Sequence, residues 1–471
     1  SDYGLFNLIA GIIAMLAFMN ASMTISTQRY LSVGMGTGNK KHLNEVYNVS
    51  IRLHLIVGAL LSVSMFAITP LLFGGILNIE SQSLLTAKFL YFILIGNLMF
   101  TIIMVPFDAV LNAYENMLVF SIICIIESIL RLTLALCLPH LKSNLLLWYG
   151  CGIMLITFLV LLSKAVYVTL HYKDLRITRN TPPKELFNEM FKFAGWNLLG
   201  SSAIIGRNQG VAIILNIFFG TVINAAYGIA NQINGVLNYF SSALQKSITP
   251  QLMQSEGMHD RQRMLRIAFQ SSKFSTLLVG IIAIPLLAEM PYILKMWLTD
   301  VPEHTIHFSR IIIIMSLLTL FSSGIMSAVQ SVGKIKWYFI CISSVLLSSL
   351  PIIYFLLKAK SNPDVALLVL LAIEVIALLV RLIFAKKLAD FDSKKFILHI
   401  FIPISLLFFI DLLILYGIKF FVAMSFARLI LCTITHLIVT LPIIWYMLLN
   451  KQERTTITNL CKSVYDSHIK R

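Results

Sequence analysis

Residues 227–235 read Tyr227-Gly228-Ile229-Ala230-Asn231-Gln232-Ile233-Asn234-Gly235, and residues 3–11 read Tyr3-Gly4-Leu5-Phe6-Asn7-Leu8-Ile9-Ala10-Gly11. Five of the nine positions are identical, and the shared Tyr-Gly and Asn are not residues that lipid-facing helices carry as filler. A weaker echo pairs 112–116 with 330–334, in the same order along the chain. Each long echo lies in an apolar run of spanning length, and five further runs separate the two. The repeat unit is therefore six spans. An even number puts both copies the same way up, and parallel repeats related by an axis along the membrane normal are a transporter arrangement with substrate between the halves.

The runs around this repeat set the fold class. Of the 471 residues, 58% are hydrophobic and 12% charged, whereas a soluble domain is about 45–50% apolar and about 25% charged. Mean hydropathy is +0.85. Thirteen runs reach the roughly 20 residues needed to span: 5–27, 53–76, 88–110, 117–138, 145–168, 194–218, 222–246, 274–294, 309–330, 337–357, 365–385, 396–418 and 427–449. A membrane barrel would instead show alternating segments of about ten residues. The expected fold is an all-α polytopic membrane protein. It has two pseudo-symmetric six-helix lobes, the first lacking its leading helix, and two C-terminal helices, thirteen helices in this chain. The expected division is an N-terminal lobe (1–170), a basic linker (171–192), a C-terminal lobe (193–386), and two extra helices with a basic tail (387–471).

The net charge of +16 could suggest nucleic acid in a soluble protein. Here it follows topology. Alternate loops, beginning at 28–52 and ending with the tail 450–471, hold 24 of the 37 Lys and Arg; the opposite set, with the span-end residues Lys88, Arg310 and Arg428 counted to it, holds 8, and the remaining 5 lie within spans. By the positive-inside rule the C-terminus is cytoplasmic, and no nucleic-acid partner is needed.

No P-loop, catalytic triad or metal-ligand spacing is present, and the six cysteines are scattered. No enzyme activity, cofactor or metal is therefore expected. Gly34-Met35-Gly36-Thr37-Gly38 lacks the P-loop spacing and reads as a flexible loop. His54 and His436 read as isolated packing residues.

Charges inside spans are costly and are functional candidates by default. Arg131 follows Glu127 by one helical turn, so a local ion pair is expected. Lys164 and Arg381 lie near cytoplasmic ends and are expected to snorkel. Glu374 shares a helix face with Arg381, seven residues away, as a second ion-pair or coupling candidate. Asp411 stands alone in an extra helix. Arg207 sits mid-span within Arg207-Asn208-Gln209, too deep to snorkel. It faces either a water-filled cavity, the preferred reading, or a buried acid such as Glu374. The next span supports a cavity: Asn231, Asn234, Asn238, Ser241 and Gln245 fall on one helical face, with Lys246 at its cytoplasmic end. Interhelical amide bonding is the competing account. A polar, cationic lumen suits a phosphate or pyrophosphate.

Trp196-Asn197-Leu198-Leu199-Gly200, the run Phe219-Gly220-Thr221-Val222-Ile223-Asn224-Ala225-Ala226-Tyr227-Gly228, and Ile248-Thr249-Pro250-Gln251 resemble the bacterial polysaccharide (O-antigen-type) flippases. Trp297-Leu298-Thr299-Asp300-Val301-Pro302 and Gly333-Lys334-Ile335-Lys336 fit the same pattern. These flippases belong to the multidrug/oligosaccharidyl-lipid/polysaccharide exporter superfamily. The resemblance implies a V-shaped lumen, alternating access, and a substrate that is an undecaprenyl-pyrophosphate-linked oligosaccharide turned to the outer leaflet of the bacterial inner membrane. It also implies membrane lipids, polysaccharide polymerase and glycosyltransferases as partners. A cation-coupled exporter of small amphiphiles is the alternative, and it wants an acid in the lumen helices. An integral-membrane polymerase or ligase, or a scaffold for glycan assembly, fits the repeat less well.

Overall fold

The computed structural model describes residues 17–77, 83–140, 144–178 and 183–469, with Phe6, Ile9–Gly11, Ile13 and Ile79 besides. Tyr3 and Asn7 of the first echo, and most of span 5–27 before Ala17, lie outside the described residues. The described chain is helix and turn, without strands. Helices α1 to α5 are Ala17–Gly36, Lys40–Leu71, Leu84–Ala113, Met117–Cys137 and Leu145–His171. Next come α6 Lys184–Gly257, α7 Arg261–Trp297, α8 Thr305–Phe321, α9 Ser323–Val332, α10 Lys336–Lys358 and α11 Asp364–Ala389. Spans α12 Ser393–Phe421 and α13 Phe426–Leu448, followed by α14 Lys451–Ile469, complete the chain. Among the described residues ten helices are long and apolar enough to cross a membrane, and the pair α8 and α9, bent by 41°, passes that test together. The molecule is a multi-pass membrane protein.

Local chemistry sets the ends. Asn39 caps α2 by accepting from the His42 amide, Asn116 caps α4 through Val119, and Ser425 caps α13 through Arg428. The glycine-rich stretch at 34–38 is not a loop throughout: its first three residues finish α1 and only Thr37 and Gly38 turn. The decisive break is in α6. A straight helix of its 74 residues would be about 110 Å long, against a hydrocarbon core of about 30 Å. Gly220 adopts φ 76° and ψ −164°, a region essentially closed to residues with a Cβ. The chain reverses there. Val211 and Leu215 of the first limb then pack against Ile223, Tyr227 and Ala230 of the second.

Contacts group the chain into two compact units. Unit 1 holds residues 1–205, 246–264 and 330–343; unit 2 holds 206–245, 265–329 and 344–471. The core of unit 1 centres on Tyr47, Val49, Phe107, Val110, Val168 and Met190. A second cluster there forms around Leu90, Tyr91 and Ile95. Unit 2 packs the α6 limbs against Phe308, Ile312, Ile353 and Leu367. Outside these cores the surface is apolar. None of the described residues of α4 is buried, although it reads Met-Leu-Val-Phe-Ser-Ile-Ile from its start. Such a surface is unstable in water and matched to lipid.

Candidate functional site

The two limbs of α6 line an open cavity of about 470 Å³ in unit 2. The first limb contributes Asn208, Gln209 and Ala212; the second contributes Asn224, Tyr227, Gly228, Asn231, Asn234, Gly235 and Asn238. The second set recurs every three or four residues, so it forms one helix face. Gly228 and Gly235 add room, since a Cβ at either would meet nothing within 4 Å. On the same limb Ile233 and Leu237 are buried, while Val236 and Tyr239 are exposed at 60% and 75%. Asn231, Asn234 and Asn238, singled out from the sequence, thus come together with Asn208 and Gln209.

The amides are partly committed to one another. Asn238 Nδ2 donates to Asn234 Oδ1 at 2.9 Å, and Asn231 Nδ2 donates to the Tyr227 carbonyl at 2.9 Å. The Ser316 hydroxyl of α8 also donates to Asn234 Oδ1. Gln245 is engaged at both ends with α7: its Nε2 donates to Ser275 Oγ at 2.9 Å, and Ser271 Oγ donates to its Oε1 at 3.1 Å. The stripe therefore lines the cavity from Asn224 to Asn238, with helix-to-helix bonding at Asn234 and Gln245. Lys246, in unit 1, does not continue it; its Nζ lies 5.2 Å from the Phe120 ring.

Arg207 turns away from the cavity wall toward an acid. Its Nη1 lies 3.2 Å from Glu374 Oε2 on α11. Arg381 Nη1 holds the other oxygen at 2.7 Å, and Thr319 Oγ1 donates to that same oxygen at 3.0 Å. Arg381 also donates to Ser322 Oγ at 3.2 Å. Side-chain exposure is 11%, 2% and 5% for Arg207, Glu374 and Arg381. Two guanidiniums on one carboxylate leave a net positive charge next to the amide cavity, and Asn208 links the two by accepting from Arg207 Nε at 3.4 Å.

Several sequence expectations change here. Arg381 does not snorkel, because Glu374 neutralises it in place. Lys164 does not snorkel either: its Nζ is 2.6 Å from Asp108 and its side chain is 3% exposed. Asp411 is not alone, nor is His436 isolated. His436 Nδ1 lies 3.2 Å from Asp411 Oδ2, and the Thr440 hydroxyl donates to the same oxygen. Pairing is the cheaper route in each case, since burying an unpaired charge costs more than the entropy of holding a partner. Glu127 and Arg131 form the expected turn-to-turn pair at 2.8 Å, partly exposed on α4. His54 is buried with Nδ1 2.7 Å from the Ser50 carbonyl of its own helix.

Other clusters were passed over. Arg428 Nη2 lies 2.8 Å from the fully buried Glu289, and Lys273 Nζ lies 2.5 Å from Glu453. Asp108 and Glu289 fall inside expected spans, so the rule that flagged the basic residues flags them equally. His304 and His307 place Nδ1 atoms 2.9 and 3.1 Å from separate oxygens of Asp364, a grouping that no local spacing announces.

Several solved structures of MATE and other MOP superfamily transporters are similar to this chain in fold. A MATE in the bent conformation aligns with a TM-score of 0.71 at 13% identity, covering 83% of this chain and 92% of that one. The bent form of the Vibrio cholerae MATE transporter VcmN gives 0.67 at 15% identity over 82% and 88%. A MOP superfamily transporter from Pyrococcus furiosus, described as having a binding pocket of reverse polarity that suggests a different function, gives 0.71 at 12% identity over 83% and 87%. At these identities the likeness establishes the fold. No protein-family model matches the chain, and no curated protein is similar to it in sequence.

Proposed function

We propose that this protein is a transporter of the MOP superfamily. In this reading it flips an undecaprenyl-pyrophosphate-linked oligosaccharide from the inner to the outer leaflet of the bacterial cytoplasmic membrane by alternating access. The carrying observation is the amide-lined cavity beside a net-positive Arg207–Glu374–Arg381 cluster. Asparagine and glutamine offer both donors and acceptors, as sugar hydroxyls require. A guanidinium in surplus over its acid offers long-range attraction to a pyrophosphate without lying in the wall. Pocket polarity is itself a variable among the structures that this chain resembles, as the description of the Pyrococcus furiosus neighbour states. The MATE-type fold supports transport rather than catalysis.

The test is reconstitution in proteoliposomes with a labelled polyprenyl-pyrophosphate oligosaccharide. Its accessibility to an impermeant glycosidase or lectin should rise with the wild-type protein. It should stay near background for Asn231→Ala/Asn234→Ala.

A second reading, a cation-coupled exporter of small amphiphiles, is favoured by one specific arrangement. Glu374 supplies against Arg207 the acid that the sequence of that helix lacks. That reading requires efflux of a cationic dye driven by an imposed proton or sodium gradient. The flippase reading expects no such efflux.

A further inference from the structure

Unit 1 contains a second cavity, of about 710 Å³, with a different chemistry. Arg29, His42, Lys192, Lys334 and Lys336 line it, against one acid, Glu189. Its walls are Tyr30, Phe193, Trp196 and Trp337, with Val33 and Ile335. Its Arg and Lys residues all belong to the loop set that carries the positive-inside surplus, so the cavity is built from span ends rather than mid-span positions.

The site is built, not a chance gathering of surface lysines. Arg29 Nε donates to the carbonyls of Gln330 and Ser331 at 2.9 and 3.2 Å. Its guanidinium stacks over Tyr30 and Phe193 at 4.7 and 4.9 Å. The loop held by those bonds turns at Gly333, whose φ is +88°. A Cβ there would stand 2.3 Å from Arg29 Nη2. Only glycine both makes the turn and lets the backbone press on the guanidinium. The turn delivers Lys334 and Lys336 to the cavity. Lys336 Nζ sits 5.7 and 5.3 Å from the rings of Trp196 and Trp337, a cation–π arrangement that fixes its charge. Lys192 and Lys334 are exposed, with no carboxylate in ion-pair range among the described residues. Trp337 is 65% exposed where α10 begins, the depth at which indoles mark the membrane interface.

We propose that this cavity binds the phosphodiester headgroup of an anionic glycerophospholipid, such as phosphatidylglycerol, from the leaflet on the basic face. Basic pockets between spans on that side suit acidic headgroups. The volume fits a headgroup and glycerol better than a single ion. A free phosphate would use the lysines but have no need of the indole and aliphatic wall. The lining carries no asparagine or glutamine for sugar hydroxyls, unlike the cavity in unit 2. The proposal does not rest on the transport reading.

The test uses the full chain in phosphatidylcholine nanodiscs containing a minor fraction of phosphatidylglycerol, with retained lipid counted by native mass spectrometry. Wild type should retain phosphatidylglycerol over phosphatidylcholine. Lys192→Gln and Lys334→Gln, both at exposed positions, should each lower that retention about fivefold, and Lys192→Gln/Lys334→Gln/Lys336→Gln should abolish it. The charge-matched Lys386→Gln/Lys387→Gln/Lys394→Gln, at the end of α11 and the start of α12, should retain lipid as wild type does. Equal retention by the pocket and control variants would overturn the site. Displacement of the lipid by millimolar inorganic phosphate would make it a free-anion site and overturn the lipid assignment. Both readouts are independent of flipping, so the two proposals fail separately.

Discussion

The two cavities hold their charge in opposite ways. In unit 1 the lysines stand on the wall, and one acid accompanies five basic side chains. In unit 2 the wall is amide, and the guanidiniums are folded behind it onto Glu374. Depth explains the difference. At the interface, water and headgroups solvate an ammonium at little cost. In mid-span an ion must be paired or remain expensive, so what faces an open space there is neutral and hydrogen-bonding. A mid-membrane charge acts on a cavity through its surplus, not by exposure.

The largest expected effect breaks the pairing in unit 2. Glu374→Gln takes from the buried Arg207 and Arg381 the carboxylate that they share and should cost about 3–5 kcal/mol, read as a collapse of thermal stability in detergent. Arg207→Ala should cost far less, about 1 kcal/mol, because Arg381 still neutralises Glu374. If Arg207→Ala proves as destabilising as Glu374→Gln, the surplus charge is not a surplus and the contrast between the cavities fails.

Next comes Gly220→Ala, which forces a Cβ into a glycine-only conformation at φ 76°. A loss of about 1–3 kcal/mol is expected, with the α6 hairpin the first region to gain hydrogen exchange. An unchanged exchange pattern would mean that the limbs, not the turn, hold the hairpin.

A subtler change sharpens the chemistry of the wall. Asn238→Ala removes one exposed amide and one hydrogen bond, so stability should move by no more than about 1 kcal/mol while flipping falls severalfold. Single cysteines at Asn231 and Asn238 should react with a small hydrophilic thiol reagent, and cysteine at the buried Leu237 should not. Equal protection along the helix would show the amides to be interhelical bonding. The smallest effect is expected at Lys40→Ala. Its pair with Asp174, at 3.0 Å, lies outside the spans with both side chains exposed and is worth less than about 1 kcal/mol, so both stability and transport should stay near wild type.

Much of this architecture is legible in one dimension. A run of about 20 apolar residues can do little in water except cross a bilayer, so the expected spans after the first fall on helical segments, 309–330 on the bent pair α8 and α9. The face shared by Asn231, Asn234 and Asn238 follows from helical periodicity alone, as does the Glu127–Arg131 pair. The partners of Arg207, Lys164, Asp411 and Arg428 do not. They sit on other helices, up to 167 residues away in the case of Arg207 and Glu374, and nothing local encodes which helix will be the neighbour. The same holds for the basic cavity, where Gly333 makes sense only once Arg29 lies against it. Sequence determined which segments enter the membrane, which face of each is polar, and which side carries the lysines, because these depend on hydropathy and period. Tertiary structure decided which charges are cancelled, because neutralisation depends on contact and the ordering of helices in space brings the acids to their bases.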